Sequence, residues 1–173
     1  QSAYSAYNKL CEHLLIEPLD IGKFRAEEIT DEFKGTLYSK TLNENIEADT
    51  ITAYYSDTEY SLKIKDEVHD SLYFDDYLAE KDKYSFFLGG NHGICTVTNK
   101  NNTNGKKMLI IKDSYANCFV PFIAEHYSEI TIVDPRYCSH TQIREINVAD
   151  YADVLILFNV SGFSQEQNFA LIE

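Results

Sequence analysis

The feature that most constrains the fold is a regular alternation, after Tyr84, between short apolar segments and segments that can form helices. The apolar segments are YSFFL, KMLIIK, EITIVD and DVLILFNV, and polar or helical stretches separate them. Strands that are apolar almost throughout are typical of a sheet buried on both faces. The pattern therefore predicts an α/β fold, a parallel sheet with flanking helices, in which residues 84–173 form a βαβαβ core.

The residues before Tyr84 give weaker signals. The segment SAYSAYNKLCEHLL places Tyr4, Tyr7 and Leu14 at steps of three and four residues, which predicts an amphipathic helix with Ser2 as a cap. The segment TITAYYS is rich in β-branched and aromatic residues and predicts a strand. No linker or internal repeat divides the chain, so we expect a single domain over residues 1–173.

The charge balance excludes one class of partner. The chain has 15 basic and 28 acidic residues, a net charge of −13, which opposes binding to a phosphate backbone. We therefore expect no nucleic-acid partner. No run approaches the roughly 20 apolar residues of a membrane span, and residues 1–15 lack the pattern of a signal peptide. We expect any membrane segment to lie outside this chain.

The cysteines do not form a metal-binding pattern. Cys11, Cys95, Cys118 and Cys138 are scattered, with no C-x-x-C pair and no His nearby at zinc-ligand spacing. Free thiols are the first expectation and disulfides are the alternative. We expect neither a metal nor another cofactor.

The candidate functional residues follow the predicted strands. In a parallel sheet, ligands bind beyond the carboxyl ends of the strands, where loops converge and helix N-termini begin. The candidates after successive strands are Gly90, Asn91 and His92, then Asp113, Ser114 and Tyr115, then Arg136, and finally Asn159.

Ser114 has two interpretations. A serine at a strand-to-helix turn can act as a nucleophile, because its hydroxyl is held out of the sheet near N–H groups that stabilise an oxyanion. It can equally cap the helix that follows. That helix would present Tyr115, Phe119, Phe122 and Ile123 on one face, and Pro121 would either kink it or mark its first turn.

The other candidates also carry alternatives. Gly90 and Asn91 can supply a backbone N–H and an amide to an oxyanion, or can simply form a turn. Arg136 can hold a carboxylate, a phosphate or a sugar hydroxyl. His92, the one histidine on this edge, is a candidate substrate contact or weak base. Tyr115 can stack on a sugar ring.

Three segments, FFLGGNH, MLIIKDSYANCFVPFIAEHYSEITIVDPRY and the upstream GTLYSK, resemble the bacterial DHHW family, which is similar to SGNH-hydrolase-like alginate O-acetyltransferases. The resemblance implies an SGNH-type, flavodoxin-like three-layer fold with Ser114 as the nucleophile. It also implies that Gly90, Asn91 or Asn159 binds the oxyanion. Asp113 and Ser114 match the Gly-Asp-Ser motif, but Lys112 stands where the glycine would be.

The Asp-His-His-Trp motif that names the family is absent, and the chain has no Trp. The resemblance places that motif just before the first helix, so this chain is expected to be a fragment that begins after it. The general base and its orienting acid would then be encoded upstream of Gln1, and this chain alone would be inactive.

The leading functional hypothesis is an extracytoplasmic serine enzyme, an O-acetyltransferase or esterase, with a carbohydrate or acyl-ester substrate on a cell-envelope or exported polysaccharide. One alternative is a non-catalytic glycan-binding or scaffold module that keeps the fold. Another is a nucleotide-binding or flavodoxin-like domain, which is weakened because no Gly-x-Gly-x-x-Gly follows any strand.

Overall fold

A computed structural model describes residues 2–35, 47–166 and 168. The elements in chain order are helix α1 (Ser2–Leu14), strands β1 (Arg25–Phe33), β2 (Asp49–Tyr55), β3 (Tyr60–Ile64), β4 (Glu67–His69), β5 (Ile94–Asn99) and β6 (Lys107–Lys112), helix α2 (Val120–Ile123), strand β7 (Glu129–Val133), helix α3 (His140–Arg144), strand β8 (Asp153–Leu157) and helix α4 (Val160–Gln165). Short 3₁₀ helices connect several of them. Residues 36–40 of the GTLYSK segment lie outside the described residues.

The main sheet has six strands in the order β4-β3-β5-β7-β6-β8. The three strands β7, β6 and β8 run parallel, as predicted. Strand β5 pairs antiparallel with β7 and with β3, and β4 pairs antiparallel with β3. The fold is therefore mixed α/β, and the expectation of a wholly parallel sheet is wrong for its β4-β3-β5 half.

The predicted strand YSFFL is not a strand. Lys83–Phe86 form a 3₁₀ helix, and Leu88, Gly89 and Gly90 follow with positive φ angles. Phe86 and Phe87 are both buried in an aromatic cluster with Tyr73. Consecutive buried aromatic residues thus arise from tertiary packing of a turn, which overrides strand propensity.

Strand β5, which follows this turn, is not predicted from the sequence. Residues of β5 alternate between half-buried and buried positions along ICTVTN, the period of two expected for a strand. Strand β1 is not predicted either, because RAEEITDEF is charged and has no buried residue. It pairs antiparallel with the predicted strand β2 in a separate two-stranded sheet.

Apolar residues pack on both faces of the main sheet. On one face, Met108 and Ile110 of β6 belong to a cluster that includes Tyr7 of α1 and Phe122 of α2. On the other face, Leu109 belongs to a smaller cluster with Ile111, Val133 and Ile146. The predicted helix α1 is confirmed. No helix in the part of the chain that the structure describes is long and apolar enough to cross a membrane.

Candidate active site

The candidate residues meet at one edge of the sheet because of strand register. The end of β7 lies beside the start of β5, where Val133 pairs with Ile94. The end of β6 lies between them and β8, since Ile111 pairs with Val133 and Lys112 pairs with Leu157. We call this the carboxyl edge: the residues that follow β6, β7 and β8 together with the turn that precedes β5.

Asp113 is the residue that caps the turn after β6. Its Oδ1 accepts a hydrogen bond from the backbone N–H of Tyr115 (2.9 Å), and its Oδ2 accepts one from the backbone N–H of Asn159 (2.9 Å). The side-chain amide of Asn159 also donates to Oδ2. The carboxylate is 1% exposed, so these donors replace the water that it lost on burial.

Ser114 is therefore not the cap, and the capping interpretation of this serine is wrong. It is the first residue of a 3₁₀ helix, Ser114–Ala116, whose cap is Asp113. Ser114 is half-buried, and its hydroxyl forms no hydrogen bond with any described residue. The geometry leaves this hydroxyl available for chemistry at the strand end.

The helix after Ser114 begins later than the sequence predicted. Helix α2 covers only Val120–Ile123, and Pro121 lies in its first turn, which is the second of the two interpretations of this proline. Phe122 and Ile123 are buried, whereas Tyr115 is 66% exposed and does not share their face. Tyr115 thus remains a candidate contact for a ligand at the surface.

Lys112, read from the sequence as a departure from the Gly-Asp-Ser pattern, is buried in the site. Its side chain is 1% exposed, and its Nζ donates to Oδ1 of Asn91 at 2.9 Å. The carboxylate of Asp134 lies 3.6 Å from the same nitrogen, at the distance of an ion pair. Burial lowers the pKa of Lys112, and the charge of Asp134 partly offsets this shift.

Asn117 connects the Ser114 turn to the turn before β5. Its backbone N–H donates to the carbonyl oxygen of Ser114 at 3.2 Å. Its side-chain amide donates to the carbonyl oxygen of Gly90 (3.2 Å) and to Oδ1 of Asn91 (3.3 Å). Asn117 is fully buried, so the two turns are held in a fixed relation.

Gly90 serves the turn rather than an oxyanion. Its φ of +96° is a conformation that L side chains rarely adopt, and a Cβ here would lie 3.0 Å from Oγ of Ser85. Its N–H donates to the carbonyl oxygen of Phe87 at 3.1 Å. The prediction that Gly90 supplies a backbone donor is therefore not met in this conformation.

Arg136 is folded back onto the end of its own strand. Its Nε and Nη2 donate to the two carboxylate oxygens of Asp134 at 2.8 and 2.7 Å. These bonds raise the pKa of Arg136. Asp134 is completely buried, so this pair neutralises a charge that has no contact with water. The remaining exposed part of Arg136 is what a ligand could contact.

His92 lies in the turn before β5, but its ring is directed to the main chain. Its Nε2 lies 3.0 Å from the carbonyl oxygen of Leu88. A carbonyl only accepts hydrogen bonds, so Nε2 carries the proton and Nδ1 is unprotonated in the neutral ring. Burial lowers the pKa of His92. No hydrogen bond joins any described histidine to Ser114.

Residue-by-residue interpretation missed three members of this site. The sequence marks Lys112 only as a mismatch with the Gly-Asp-Ser pattern, and it assigns no role to Asp134 or Asn117. The available signal was the same for each, a polar residue within an apolar stretch next to a strand end. The described residues contain no cluster of His, Cys, Asp and Glu that could hold a metal ion, and all four cysteines are free thiols.

A small cavity brings the start of α1 beside this edge. It has a volume of about 190 Å³, and Ser2, Ala3, Tyr84 and Cys118 contribute to its lining. Cys118 follows Ser114 by four residues, and its backbone N–H donates to the hydroxyl oxygen of Tyr84 at 3.4 Å. Burial raises the pKa of the Cys118 thiol. The start of α1 thus shares this cavity with Cys118, four residues after Ser114.

The chain thus has a mixed α/β sheet with an Asp-Ser pair at its carboxyl edge. The sequence model described as "DHHW protein" matches residues 1–133. The chain belongs to the DHHW family. No curated protein matches the chain.

Solved structures agree with this assignment. The chain is similar to a DHHW family protein from Eubacterium siraeum, with 28% identity and a TM-score of 0.78, over 98% of this chain and 58% of that one. It is also similar in fold to PatB1 of Bacillus cereus, solved with a sulfonyl adduct, with 16% identity and a TM-score of 0.71, over 99% of this chain and 60% of that one. A second PatB1 structure gives 18% identity and a TM-score of 0.68, over 96% and 61%. The chain therefore spans about 60% of the length of these proteins.

Proposed function

We propose that the protein is a serine-dependent acyl-ester enzyme, an O-acetyltransferase or an esterase, that acts on a cell-envelope or exported polysaccharide. The observation that carries the proposal is the position of Ser114. Its hydroxyl lies at the carboxyl edge and does not serve as the helix cap. The turn that contains it is connected to Asn91 by the hydrogen bonds of Asn117. Membership of the DHHW family supports the same chemistry.

In this proposal the Ser114 oxygen attacks the carbonyl carbon of an acyl ester, and the hydroxyl proton passes to a general base. The ester C–O bond then breaks, the alcohol leaves with that proton, and the acyl group on Ser114 passes to a sugar hydroxyl or to water. The negative charge on the carbonyl oxygen needs preorganised donors. The Asn91 side-chain amide is one donor, since neither of its N–H groups donates to a described residue. The backbone N–H of Ser114, which also donates to no described residue, is a second.

Asn159 contributes indirectly. Its backbone N–H and side-chain amide both donate to Asp113. Its Oδ1 accepts from the N–H of Gly162 at 2.8 Å and so caps helix α4. Asn159 therefore supports the Asp113 carboxylate that shapes the Ser114 turn, and it is a weaker candidate for oxyanion binding than Asn91.

The general base would come from a part of the parent protein that precedes this chain. His92 donates from Nε2 to Leu88, and Nε2 of His126 is hydrogen-bonded to the Tyr7 hydroxyl at 2.7 Å. The start of α1 shares a cavity with Cys118, close to the Ser114 turn. A histidine placed shortly before α1 would arrive at the same edge.

We also propose that the parent protein acts outside the cytoplasm on a carbohydrate or acyl-ester substrate, with any membrane attachment through another segment, and membership of the DHHW family supports this. No nucleic-acid partner is proposed, because the net charge of −13 opposes it. The second candidate function is a non-catalytic glycan-binding module. The observation that favours it is Lys112, which replaces the glycine of the Gly-Asp-Ser motif.

Covalent labelling tests the proposal. We expect a fluorophosphonate or phenylmethylsulfonyl fluoride to form an adduct on Ser114 in the full-length parent protein, located by mass spectrometry of peptides. Ser139 is the matched internal control, because its hydroxyl caps α3 in a capping box. It should remain unlabelled, and Ser114→Ala should remove the adduct.

The chain beginning at Gln1 provides the test of the missing base. It should label much more slowly than the full-length protein if the base lies upstream. The absence of any adduct on Ser114 in the full-length protein would reject a serine enzyme and favour the glycan-binding module.

A further inference from the structure

We propose that Lys112 is a positioning residue that fixes the Asn91 side-chain amide with its oxygen inward, so that both amide N–H groups stay available to a substrate oxyanion. The inference rests on the proposed acyl-ester function and deepens it. It gives a role to the residue that departs from the Gly-Asp-Ser pattern.

Lys112 contacts Asn91 more closely than it contacts Asp134. Its Nζ lies 2.9 Å from Oδ1 of Asn91 but 3.6 Å from Asp134. Asp134 already accepts two short bonds from the Arg136 guanidinium and a third from the Arg136 backbone N–H. The Asp134 charge is therefore balanced without Lys112, and the Lys112 ammonium makes its shorter contact with the Asn91 oxygen.

The hydrogen bonds from Lys112 and Asn117 run in one direction, toward the side-chain oxygen of Asn91. A lysine ammonium has three donors and no acceptor, so only the oxygen of the Asn91 amide can face it. Asn117 presents its own NH₂ group to the same oxygen at 3.3 Å. Turning the Asn91 amide by 180° would place its NH₂ group against two donors. The orientation of this amide is thus fixed by chemistry rather than left to rotation.

This orientation leaves the NH₂ group of Asn91 without a partner among the described residues. Both lone pairs of the Asn91 oxygen are used inside the fold, and the NH₂ group donates to none of the described residues. Asn91 is half-buried, so its amide reaches the surface of the carboxyl edge. Burying an ammonium carries a desolvation cost, and the hydrogen bond to the Asn91 oxygen offsets part of this cost at the residue that would bind the oxyanion.

The experiment measures hydrolysis of p-nitrophenyl acetate by the full-length protein and by variants. Lys112→Met keeps the approximate length of the side chain but removes the donors. We expect kcat to fall about 10- to 100-fold, with KM within about twofold, because the misplaced donor acts mainly in the transition state. Lys112→Gln restores one neutral donor and should recover most of the loss.

The matched control is Lys107→Met, at the other end of the same strand. Lys107 is exposed and pairs with Glu129 at 2.9 Å, away from the site. This variant should keep the activity of the unmodified protein. An equal loss in Lys107→Met would attribute the effect to general damage of β6 and would overturn the inference.

A double-mutant comparison separates positioning from folding. Asn91→Ala should lower kcat about 100- to 1,000-fold, as expected for loss of one oxyanion donor. Adding Lys112→Met to Asn91→Ala should cause no further loss, because Lys112 acts only through Asn91. Multiplied losses, or a Lys112→Met variant as active as the unmodified protein, would overturn the inference.

Asn117→Ala gives a second route if Lys112→Met does not fold. It removes the other donor to the Asn91 oxygen and should cause a loss of about 3- to 10-fold that also vanishes in the Asn91→Ala background. Ser114→Ala distinguishes the two proposals. Activity that survives in Ser114→Ala would reject the proposed function itself, whereas a strict need for Ser114 with an unaffected Lys112→Met would reject only the role of Lys112.

Discussion

Two asparagines lie at opposite ends of strand β5 and use the same side chain in different ways. Asn99 ends the strand and is 5% exposed. Its Oδ1 accepts from the backbone N–H groups of Asn101 and Asn102 at 3.0 Å each, and its Nδ2 donates to the carbonyl oxygen of Ala124 at 3.0 Å. Asn91 precedes the strand, and only its oxygen is used within the described part of the fold.

The difference gives a criterion for separating a structural asparagine from one that is proposed to bind a ligand. At Asn99 the oxygen and the NH₂ group both have partners, so the side chain stabilises the loop that follows β5 by hydrogen bonds. At Asn91 a buried lysine holds the oxygen while the donors stay open. A polar group fixed on one side and open on the other is what a preorganised binding site requires.

The largest expected effect comes from the same substitution at both asparagines. Asn91→Asp keeps an oxygen toward Lys112 but replaces the N–H donors with a carboxylate oxygen. We expect kcat to fall at least 100- to 1,000-fold in the full-length protein, with stability unchanged or higher. Asn99→Asp places an oxygen against the carbonyl of Ala124 and should cost about 3 kcal/mol of unfolding free energy, with kcat preserved in the folded fraction.

Urea unfolding and steady-state kinetics on the two variants measure both quantities. The comparison fails if Asn91→Asp retains activity, because its N–H groups would then not be oxyanion donors. It also fails if Asn99→Asp lowers kcat as strongly as Asn91→Asp does, since the end of β5 at Asn99 would then belong to the site.

The sequence predicts which residues lie at the carboxyl edge but not which of them contact one another there. The apolar runs KMLIIK, EITIVD and DVLILFNV correctly predicted the three parallel strands, because short continuous apolar runs are typical of parallel strands. Burial on both faces does not extend to the edge strand β8, where Val154 and Ile156 are exposed. The positions of Asp113 and Ser114 at a strand end followed directly. YSFFL failed, because its aromatic residues are buried by contacts distant in sequence rather than by strand pairing.

The roles of individual polar residues could not be predicted because they depend on the third dimension. Asp113 caps the turn with Oδ1, while its Oδ2 is held by Asn159, which is 46 residues away in the chain. Lys112 reaches Asn91 across 21 residues. A lysine at the end of an apolar run gave only the information that the Gly-Asp-Ser pattern was broken, not that an ammonium was buried there.

The two ends of the sheet should also respond oppositely to alkaline pH. The Tyr60 hydroxyl donates to Glu125 at 2.6 Å beside the Asn99 end. Burial first, and then the Glu125 charge, raises the pKa of Tyr60 above that of an unfolded tyrosine, about 10. The stability contributed by protonated Tyr60 is therefore present below pH ~10 and lost as the pH rises above it.

Lys112 has the reverse sign. Its pKa is lowered by burial, so between this lowered pKa and pH ~10.4, the pKa of an unfolded lysine, the unfolded chain binds more protons and the free energy of unfolding rises with pH. Each group contributes a slope of at most about 1.4 kcal/mol per pH unit. The free energy of unfolding, measured with urea from pH 7 to 11, should rise less with pH in Lys112→Met. In Tyr60→Phe its later decrease at higher pH should be smaller. Unchanged slopes in both variants would contradict this assignment.

The smallest expected effect compares a glycine near each end. Gly162, in α4 at the carboxyl edge, is crowded, because an added Cβ would lie 2.8 Å from Nδ2 of Asn159 and 3.3 Å from Oδ2 of Asp113. Gly105, before β6 at the opposite end, has a φ of +72° and open space around it. Alanine at either position should cost about 1 kcal/mol, at Gly162 by crowding and at Gly105 by backbone strain.

Activity separates these two causes. Gly162→Ala displaces the Asn159 cap that holds Asp113, and it should lower kcat a few-fold because small displacements of the nucleophile reduce the rate. Gly105→Ala should leave kcat unchanged at equal stability. Equal kcat in the two variants would mean that the Asp113–Asn159 pair stabilises the fold without setting the position of Ser114, and the carboxyl edge would then resemble the Asn99 end more closely than its open amide suggests.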